Sequence, residues 1–140
     1  ITVEKVAINL MEARIPDNEG KKPLDTPIRA DGENAYFASL PVKSMVQYMK
    51  EAKIPARVSY TAGTFVCNDI MYRVLYMIDK EYPHMRGGFV HVPYLPEQTL
   101  DLPEGTPSMP AEMIAKALAC GIRAIVDNEA DVKTISGETH

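Results

Sequence analysis

The length, composition and charge of the chain predict one ordinary globular domain and exclude several kinds of protein. Its 140 residues suit a single domain, and 46% hydrophobic with 24% charged residues is typical of a soluble protein. No apolar run approaches the roughly 18 residues that a membrane span needs, so no membrane partner is expected. A net charge of -4, with scattered lysines and arginines, argues against nucleic acid as a partner.

The first forty residues predict one strand followed by a long loop. Val6, Ile8 and Leu10 alternate with other residues in the period of a half-buried strand that ends near Glu12. From residue 13 to 40, Pro, Gly, Asp and Asn recur without periodicity, so nothing longer than a short hairpin is predicted there. A loop of that length is usually functional or contains a missed element.

Three helices and two further strands are predicted in the rest of the chain. Pro41 opens the first helix, which stops near Ala52, and Gly63 and Pro110 precede the second and third. Short strands are predicted over 56–61 and 87–92. The predicted apolar stripes of the three helices are, in order, Val42, Met45, Val46 and Met49; Val66, Ile70, Met71, Val74, Leu75 and Ile78; and Met113, Ala117, Leu118, Ile122, Ile125 and Val126.

The order of these elements predicts the fold class. Strand, loop, helix, strand, helix, strand and helix follow one another, and such alternation favours an α/β fold with a largely parallel sheet. In sheets of this kind, ligands bind outside the carboxyl ends of the strands, where the following helices begin.

Cys67 lies at the start of the second predicted helix, in the stretch TAGTFVCND. Backbone N–H groups and the helix dipole would favour its thiolate there, which is the nucleophilic form. The Gly63 turn would let the backbone approach a carbonyl, whose developing charge the helix-start N–H groups could receive. Because free cysteine is among the most buried residue types, plain core packing is the alternative.

His91 ends the next apolar strand and would share the same crevice in a parallel sheet. An imidazole beside a thiol is the minimum for acyl transfer, although a single histidine on a strand is often structural. A carboxylate should orient the imidazole. Glu4 is a candidate at a strand margin, where a carboxylate is commonly solvated, and spacing does not choose it over Asp17, Asp69 or Glu97.

The cysteine count argues against a disulfide framework and against a metal site. Cys67 and Cys120 form no C-x-x-C motif, and a site built from them with His84 and His91 fits no zinc pattern. No zinc site is therefore expected, and the reducing cytoplasm is the expected compartment.

Three stretches resemble the family of cysteine peptidases called pyroglutamyl peptidase I, or pyrrolidone-carboxylate peptidase. They are ITVEKVAIN with ARIPDN, YTAGTFVCN, and GFVHVPYLPEQ, and the similarity runs from Ile1 to at least Ala119. The resemblance implies a three-layer α/β/α sandwich around a twisted, largely parallel mixed sheet. It also implies a homotetramer and no metal or organic cofactor.

The same resemblance implies an activity and a role for individual residues. The family removes N-terminal pyroglutamyl residues from peptides through a thioester acyl-enzyme. Carried over, Cys67 is the nucleophile, His91 the general base and acid, and Glu4 the acidic partner of the histidine. Arg14 is expected to help stabilise the oxyanion, and Phe65 to line the pyroglutamyl pocket. Without the resemblance, burial statistics favour a solvated loop position for Arg14 and a core position for Phe65.

The resemblance begins at the family's Glu motif. Residues 1–140 are therefore expected to form a single domain that corresponds to the C-terminal part of a family domain. The family's N-terminal portion, with its first strand and a loop that covers the substrate, is not in this sequence. The alternative function is a non-catalytic fragment or homologue that acts as a small-molecule-binding or thiol-reactive α/β module.

Overall fold

The protein is described by a computed structural model over residues 1–137, and its elements confirm an α/β fold. Besides the helices and strands given below, a 3₁₀ turn spans Pro96–Thr99. None of the helices in the described range combines the length and the apolar character that crossing a membrane requires. The strands and helices are β1 (Thr2–Glu4), β2 (Val6–Ile8), β3 (Ala35–Phe37), α1 (Val42–Glu51), β4 (Arg57–Ser59), α2 (Val66–Lys80), β5 (Phe89–His91) and α3 (Ala111–Asp127).

The chain divides into two compact units. Unit 1 contains Ile1–Val3, Pro41–Val58 and the residues from Val90 onward, and unit 2 contains Glu4–Leu40 and Ser59–Phe89. Helices α1 and α3 pack together in unit 1, whereas α2 packs on β2 and β3 in unit 2.

The strands form two sheets, and the pairing is mixed. One sheet has the order β4-β1-β5, and the other pairs β2 with β3. In the second sheet the strands are antiparallel, with Ala7 opposite Tyr36. The N–H of Arg57 donates to the carbonyl of Ile1 at 3.0 Å, and that of Lys5 to the carbonyl of Ser59 at 2.8 Å, so β1 and β4 run parallel.

The N-terminal strand differs from the prediction of one strand ending near Glu12. Two short strands replace it, with a break at Lys5, and the second ends at Ile8. Ala7 is the fully buried residue of β2, whereas Val6 and Ile8 are half-buried. The most buried position of this strand is therefore the small residue between the two predicted apolar ones.

The third strand lies inside the predicted loop. β3 spans only Ala35–Phe37, and its pairing with β2 supplies its backbone hydrogen bonds. A three-residue strand is too short to show a period, so the sequence pattern did not reveal it.

Helix α1 confirms its predicted bounds and face, while α3 corrects its predicted face. All four predicted stripe residues of α1 are buried. The buried residues of α3 are Ala117, Gly121 and Ala124, and most of the predicted stripe, including Ile122 and Val126, is exposed. A Cβ on Gly121 would lie 3.1 Å from the Met49 methyl, so α3 approaches α1 through its small residues.

Helix α2 buries a partly polar face. Its buried residues are Asn68, Met71, Tyr72 and Leu75, so Met71 and Leu75 confirm the predicted stripe while Val66, Ile70 and Val74 are exposed. The buried Tyr72 hydroxyl donates a hydrogen bond to the carbonyl of Glu33 at 2.6 Å, so its polar group has a partner in the interior. Burial raises the pKa of Tyr72 to about 12.

Helix α1 ends in a Schellman turn that places a lysine where glycine is preferred. The N–H of Ile54 donates to the carbonyl of Met49 at 3.0 Å, and the N–H of Lys53 to that of Lys50 at 2.9 Å. Lys53 has φ +64°, in the left-handed region.

Replacing Lys53 with glycine is therefore expected to raise the free energy of unfolding by about 1 kcal/mol, because glycine adopts this conformation without steric cost. Urea denaturation measures the change. The Lys53→Ala variant is the control, since it keeps a Cβ in the same strained conformation. A glycine variant no more stable than the alanine variant would contradict this account.

Candidate active site

Cys67 is the second residue of α2, as the sequence predicted. Phe65 is the residue before the helix, and the first intrahelical bond runs from the N–H of Asp69 to the carbonyl of Phe65 at 3.0 Å. The N–H groups of residues 66–68 precede that bond and are the donors that a helix start leaves available. The thiol is half-buried, and Gly63 turns the preceding chain with φ +79°. A cysteine and several N–H donors thus share one helical turn.

Glu4 is the last residue of β1 and is only 2% exposed. A carboxylate at a strand margin is commonly solvated, but this one is not, and among residues 1–137 Glu4 is the one buried carboxylate. Of the three alternatives, Asp17 and Glu97 are exposed, and Asp69 is paired with the Arg73 guanidinium at 2.9 Å. Burial therefore distinguishes Glu4 where sequence spacing did not.

His91 is the last residue of β5 and is half-buried, in the strand position that the sequence predicted. It belongs to unit 1, whereas Glu4, Arg14, Phe65 and Cys67 all belong to unit 2. The structure therefore places four of the five predicted site residues in one compact unit.

A cavity of about 440 Å³ lies in unit 2 at the start of α2. Residues 64–66, Asp69 and Arg73 form one wall, and residues 11–13 and 15–17 with Lys21 and Pro23 form the other. The volume is in the range of small-molecule sites. The lining combines apolar side chains such as Phe65 with charged ones, including Asp69 and Arg73 on α2.

The second wall of the cavity is an irregular hairpin that is joined to the start of α2. Met11 pairs with Thr26 across it, and the N–H of Glu12 donates to the carbonyl of Thr64 at 2.9 Å. At its tip, the Asp17 carboxylate accepts the N–H groups of Glu19 and Lys21 at 2.9 and 2.8 Å. Backbone pairing thus closes the hairpin, and a hydrogen bond attaches it to the chain just before the helix that carries Cys67.

The two predicted substrate-binding residues have different positions. Phe65 is half-buried and lines the cavity, so the alternative core position is not what the structure shows. Arg14 is exposed on the hairpin, between two residues that line the cavity, and its own side chain is not among the lining residues. Its solvated position fits the expectation from burial statistics.

Sequence reasoning missed Asn68, the residue after the cysteine. Its side chain is fully buried and bonds to the backbone of β2. A signal was available, because Asn68 lies three, four and seven residues before the buried Met71, Tyr72 and Leu75. Over residues 1–137, no three His, Cys, Asp or Glu side chains are grouped to hold a metal ion.

Comparison with known proteins identifies relatives over nearly the whole chain. The pyrrolidone-carboxylate peptidase of Clostridium botulinum is 54% identical over 99% of this chain and 64% of its own length. That of Enterococcus faecalis is 54% identical over 100% of this chain and 65% of its own length. The chain therefore spans less than two thirds of these curated relatives.

Solved structures show the same fold. The pyroglutamyl peptidase I from Bacillus amyloliquefaciens matches with a TM-score of 0.89 and 49% identity, over 96% of this chain and 63% of that one. The pyrrolidone carboxyl peptidase from Thermococcus litoralis also has a TM-score of 0.89, with 38% identity over 96% of this chain and 64% of that one. These matches confirm the predicted fold class.

A family model described as pyroglutamyl peptidase matches residues 1–128. The match includes the buried Glu4, the cavity wall at Phe65, the helix-start Cys67 and the strand-end His91. The chain belongs to the pyroglutamyl peptidase family.

Proposed function

We propose that the protein containing this chain is a cysteine peptidase that removes N-terminal pyroglutamyl residues from peptides. The observation that carries this proposal is the position of Cys67, in a helical first turn whose neighbours Phe65 and Val66 line a cavity of ligand size. Membership of the pyroglutamyl peptidase family supports the same activity.

In the proposed reaction, the imidazole of His91 takes the thiol proton and the Cys67 sulfur attacks the carbonyl carbon of the pyroglutamyl peptide bond. The carbonyl oxygen becomes an oxyanion that N–H groups of residues 66–68 and Arg14 stabilise. The carbon–nitrogen bond then breaks, and the imidazolium returns its proton to the leaving amine. Water, with His91 again as base, hydrolyses the thioester and releases pyroglutamate.

Glu4 is proposed to hold the imidazole of His91 in the orientation that this proton transfer needs. A buried carboxylate suits that role, since it accepts the ring N–H and stabilises the imidazolium that forms. Glu4 is buried and ends strand β1.

The apolar part of the cavity lining, which includes Phe65, is proposed to bind the pyroglutamyl ring. The ring is flat and uncharged, and an aromatic wall with a few backbone donors and acceptors suits such a group. Phe65, Ile15 and Met11 are among the apolar residues that line the cavity. An ordinary N-terminal residue carries an ammonium group, whose transfer into an apolar pocket is costly without a paired charge.

The wider setting is also a proposal. We propose, from the family resemblance, that residues 1–140 are the C-terminal part of one longer α/β domain; the greater length of the relatives agrees with a longer protein. The whole protein is proposed to act on peptides in the cytoplasm, without a metal or organic cofactor. It is proposed to be a homo-oligomer, a tetramer by its family resemblance.

Chromophore release from amide substrates tests the activity. The purified protein is expected to release p-nitroaniline from pyroglutamyl p-nitroanilide, and to leave the alanyl and prolyl p-nitroanilides intact. The prolyl compound is the sharper control because it has a similar ring but a charged nitrogen. A folded protein that releases nothing from the pyroglutamyl compound would contradict the proposal and favour the non-catalytic alternative.

A further inference from the structure

Asn68 is a fully buried polar residue whose side chain binds the end of strand β2. Its Oδ1 accepts the N–H of Ile8 at 2.9 Å, and its Nδ2 donates to the carbonyls of Ile8 at 2.9 Å and Leu10 at 3.1 Å. One carboxamide thus pairs with both backbone groups of Ile8, as a neighbouring strand would. It joins the first turn of α2 to β2 at the point where the strand ends.

The three hydrogen bonds require an amide. Only a group with an acceptor and two donors can face one N–H and two carbonyls, so a carboxylate would meet the carbonyls without a proton to donate. An apolar side chain of the same size would leave three backbone groups without this partner in a buried place. The network also fixes which side-chain atom is oxygen and which is nitrogen.

The same tie fixes the surroundings of the proposed nucleophile. Asn68 directly follows Cys67, and both belong to the turn whose N–H groups precede the first intrahelical bond. The chain leaving β2 passes Leu10 and then bonds to the residue before Phe65, through the N–H of Glu12 and the carbonyl of Thr64. The helix start is therefore held to this chain from two sides, by Asn68 within the turn and by Thr64 before it.

We propose that Asn68 is a positioning residue for the reaction. Its carboxamide holds the first turn of α2 in register with the segment from Ile8 to Arg14, which sets the direction of the Cys67 sulfur and of the N–H donors beside it. The catalytic role of Asn68 rests on the proposed function. Its effect on the position of the Cys67 thiol rests on the hydrogen bonds alone.

Two variants of Asn68 and one matched control test it. Asn68→Leu removes all three hydrogen bonds while keeping the number and branching of the side-chain heavy atoms, and Asn68→Ser keeps one hydroxyl and leaves room for water. Tyr72→Phe is the control, because Tyr72 is also fully buried on α2 and its hydroxyl donates one hydrogen bond to a backbone carbonyl, that of Glu33. All three variants are expected to lower the urea midpoint.

Only the Asn68 variants are expected to change the chemistry at Cys67. We expect kcat to fall by about 10- to 100-fold in Asn68→Leu with a smaller change in KM, because a displacement of about 1 Å at a reacting group has that effect. Asn68→Ser is expected to lie between it and the parent. The rate of Cys67 alkylation by iodoacetamide is followed against pH by peptide mass mapping. The pH profile of this rate is expected to differ from that of the parent most in Asn68→Leu, less in Asn68→Ser, and not at all in Tyr72→Phe.

The outcomes separate this inference from the proposed function. Asn68 variants that match Tyr72→Phe in kcat and in the alkylation profile would overturn the positioning role, even where the urea midpoint falls. If the parent protein hydrolyses no pyroglutamyl substrate while the Asn68 variants still shift the alkylation profile, the proposed function fails and the positioning of the thiol is supported. Where Asn68→Leu does not fold, the same comparison is made with Asn68→Ser.

Discussion

Replacement of Cys67 by serine is expected to lower kcat/KM for pyroglutamyl p-nitroanilide by about 10³-fold or more. Sulfur and oxygen occupy nearly the same place, so the protein should fold and still bind the substrate. The hydroxyl, however, gives up its proton far less readily than a thiol, so serine is a much weaker nucleophile. Steady-state kinetics of the purified variant measure the loss, which should fall on kcat rather than KM.

The second cysteine provides the matched control for this substitution. Cys120 is half-buried on α3, in unit 1, and lines none of the cavity in unit 2. Cys120→Ser should therefore keep the kcat/KM of the parent while making the same atomic change. A Cys67→Ser variant with more than about a tenth of the parent's rate would show that the thiol is not the nucleophile, because removal of a true nucleophile costs several orders of magnitude.

The position of Cys67 could be predicted because it depends on local signals. Gly63 predicted a turn, the apolar run after it predicted a helix, and a helix start fixes where its first turn lies. The bounds of α1 followed in the same way from Pro41 and the spacing of its methionines and valines. Each of these signals lies within a few residues of the feature that it predicts.

The faces of α2 and α3 were predicted only in part, because the rest depends on partners distant in sequence. Large apolar residues were expected to face inward, yet α3 buries Gly121 against the methionines of α1. On α2 the buried Asn68 has backbone partners at the end of β2, and the buried Tyr72 has one in the loop before β3. Hydrophobic periodicity measures apolar character and does not register close approach or paired polar groups.

The identity of the acidic residue illustrates the same limit at the candidate site. Four carboxylates had comparable spacing, and only the family resemblance selected Glu4 among them. In the structure Glu4 is buried at the end of β1, whereas Asp17 is turned toward the backbone of its own loop. Burial is a property of the folded chain, so it could not be obtained from the spacing of acidic residues.

Replacement of Glu4 by glutamine is expected to lower kcat by about 10²- to 10⁴-fold with little change in KM. Glutamine has the same shape, and an uncharged amide is less costly to bury than a carboxylate, so the urea midpoint should not fall greatly. What the amide loses is the negative charge that is proposed to stabilise the imidazolium of His91 and to select its tautomer. The loss should therefore appear in the rate of the chemical step rather than in substrate binding.

The exposed Glu97, on the 3₁₀ turn, supplies the control, and Glu97→Gln should keep the parent's kcat. Asp69 lines the cavity and pairs with Arg73, so Asp69→Asn is expected to act on KM instead. A Glu4→Gln variant that is less stable but keeps the parent's kcat would show that Glu4 stabilises the fold and does not orient the base. A loss of kcat in Asp69→Asn without one in Glu4→Gln would transfer the orienting role to Asp69. Because the four carboxylates differ in burial and in partners, these substitutions separate a carboxylate that orients the base from one that shapes the pocket.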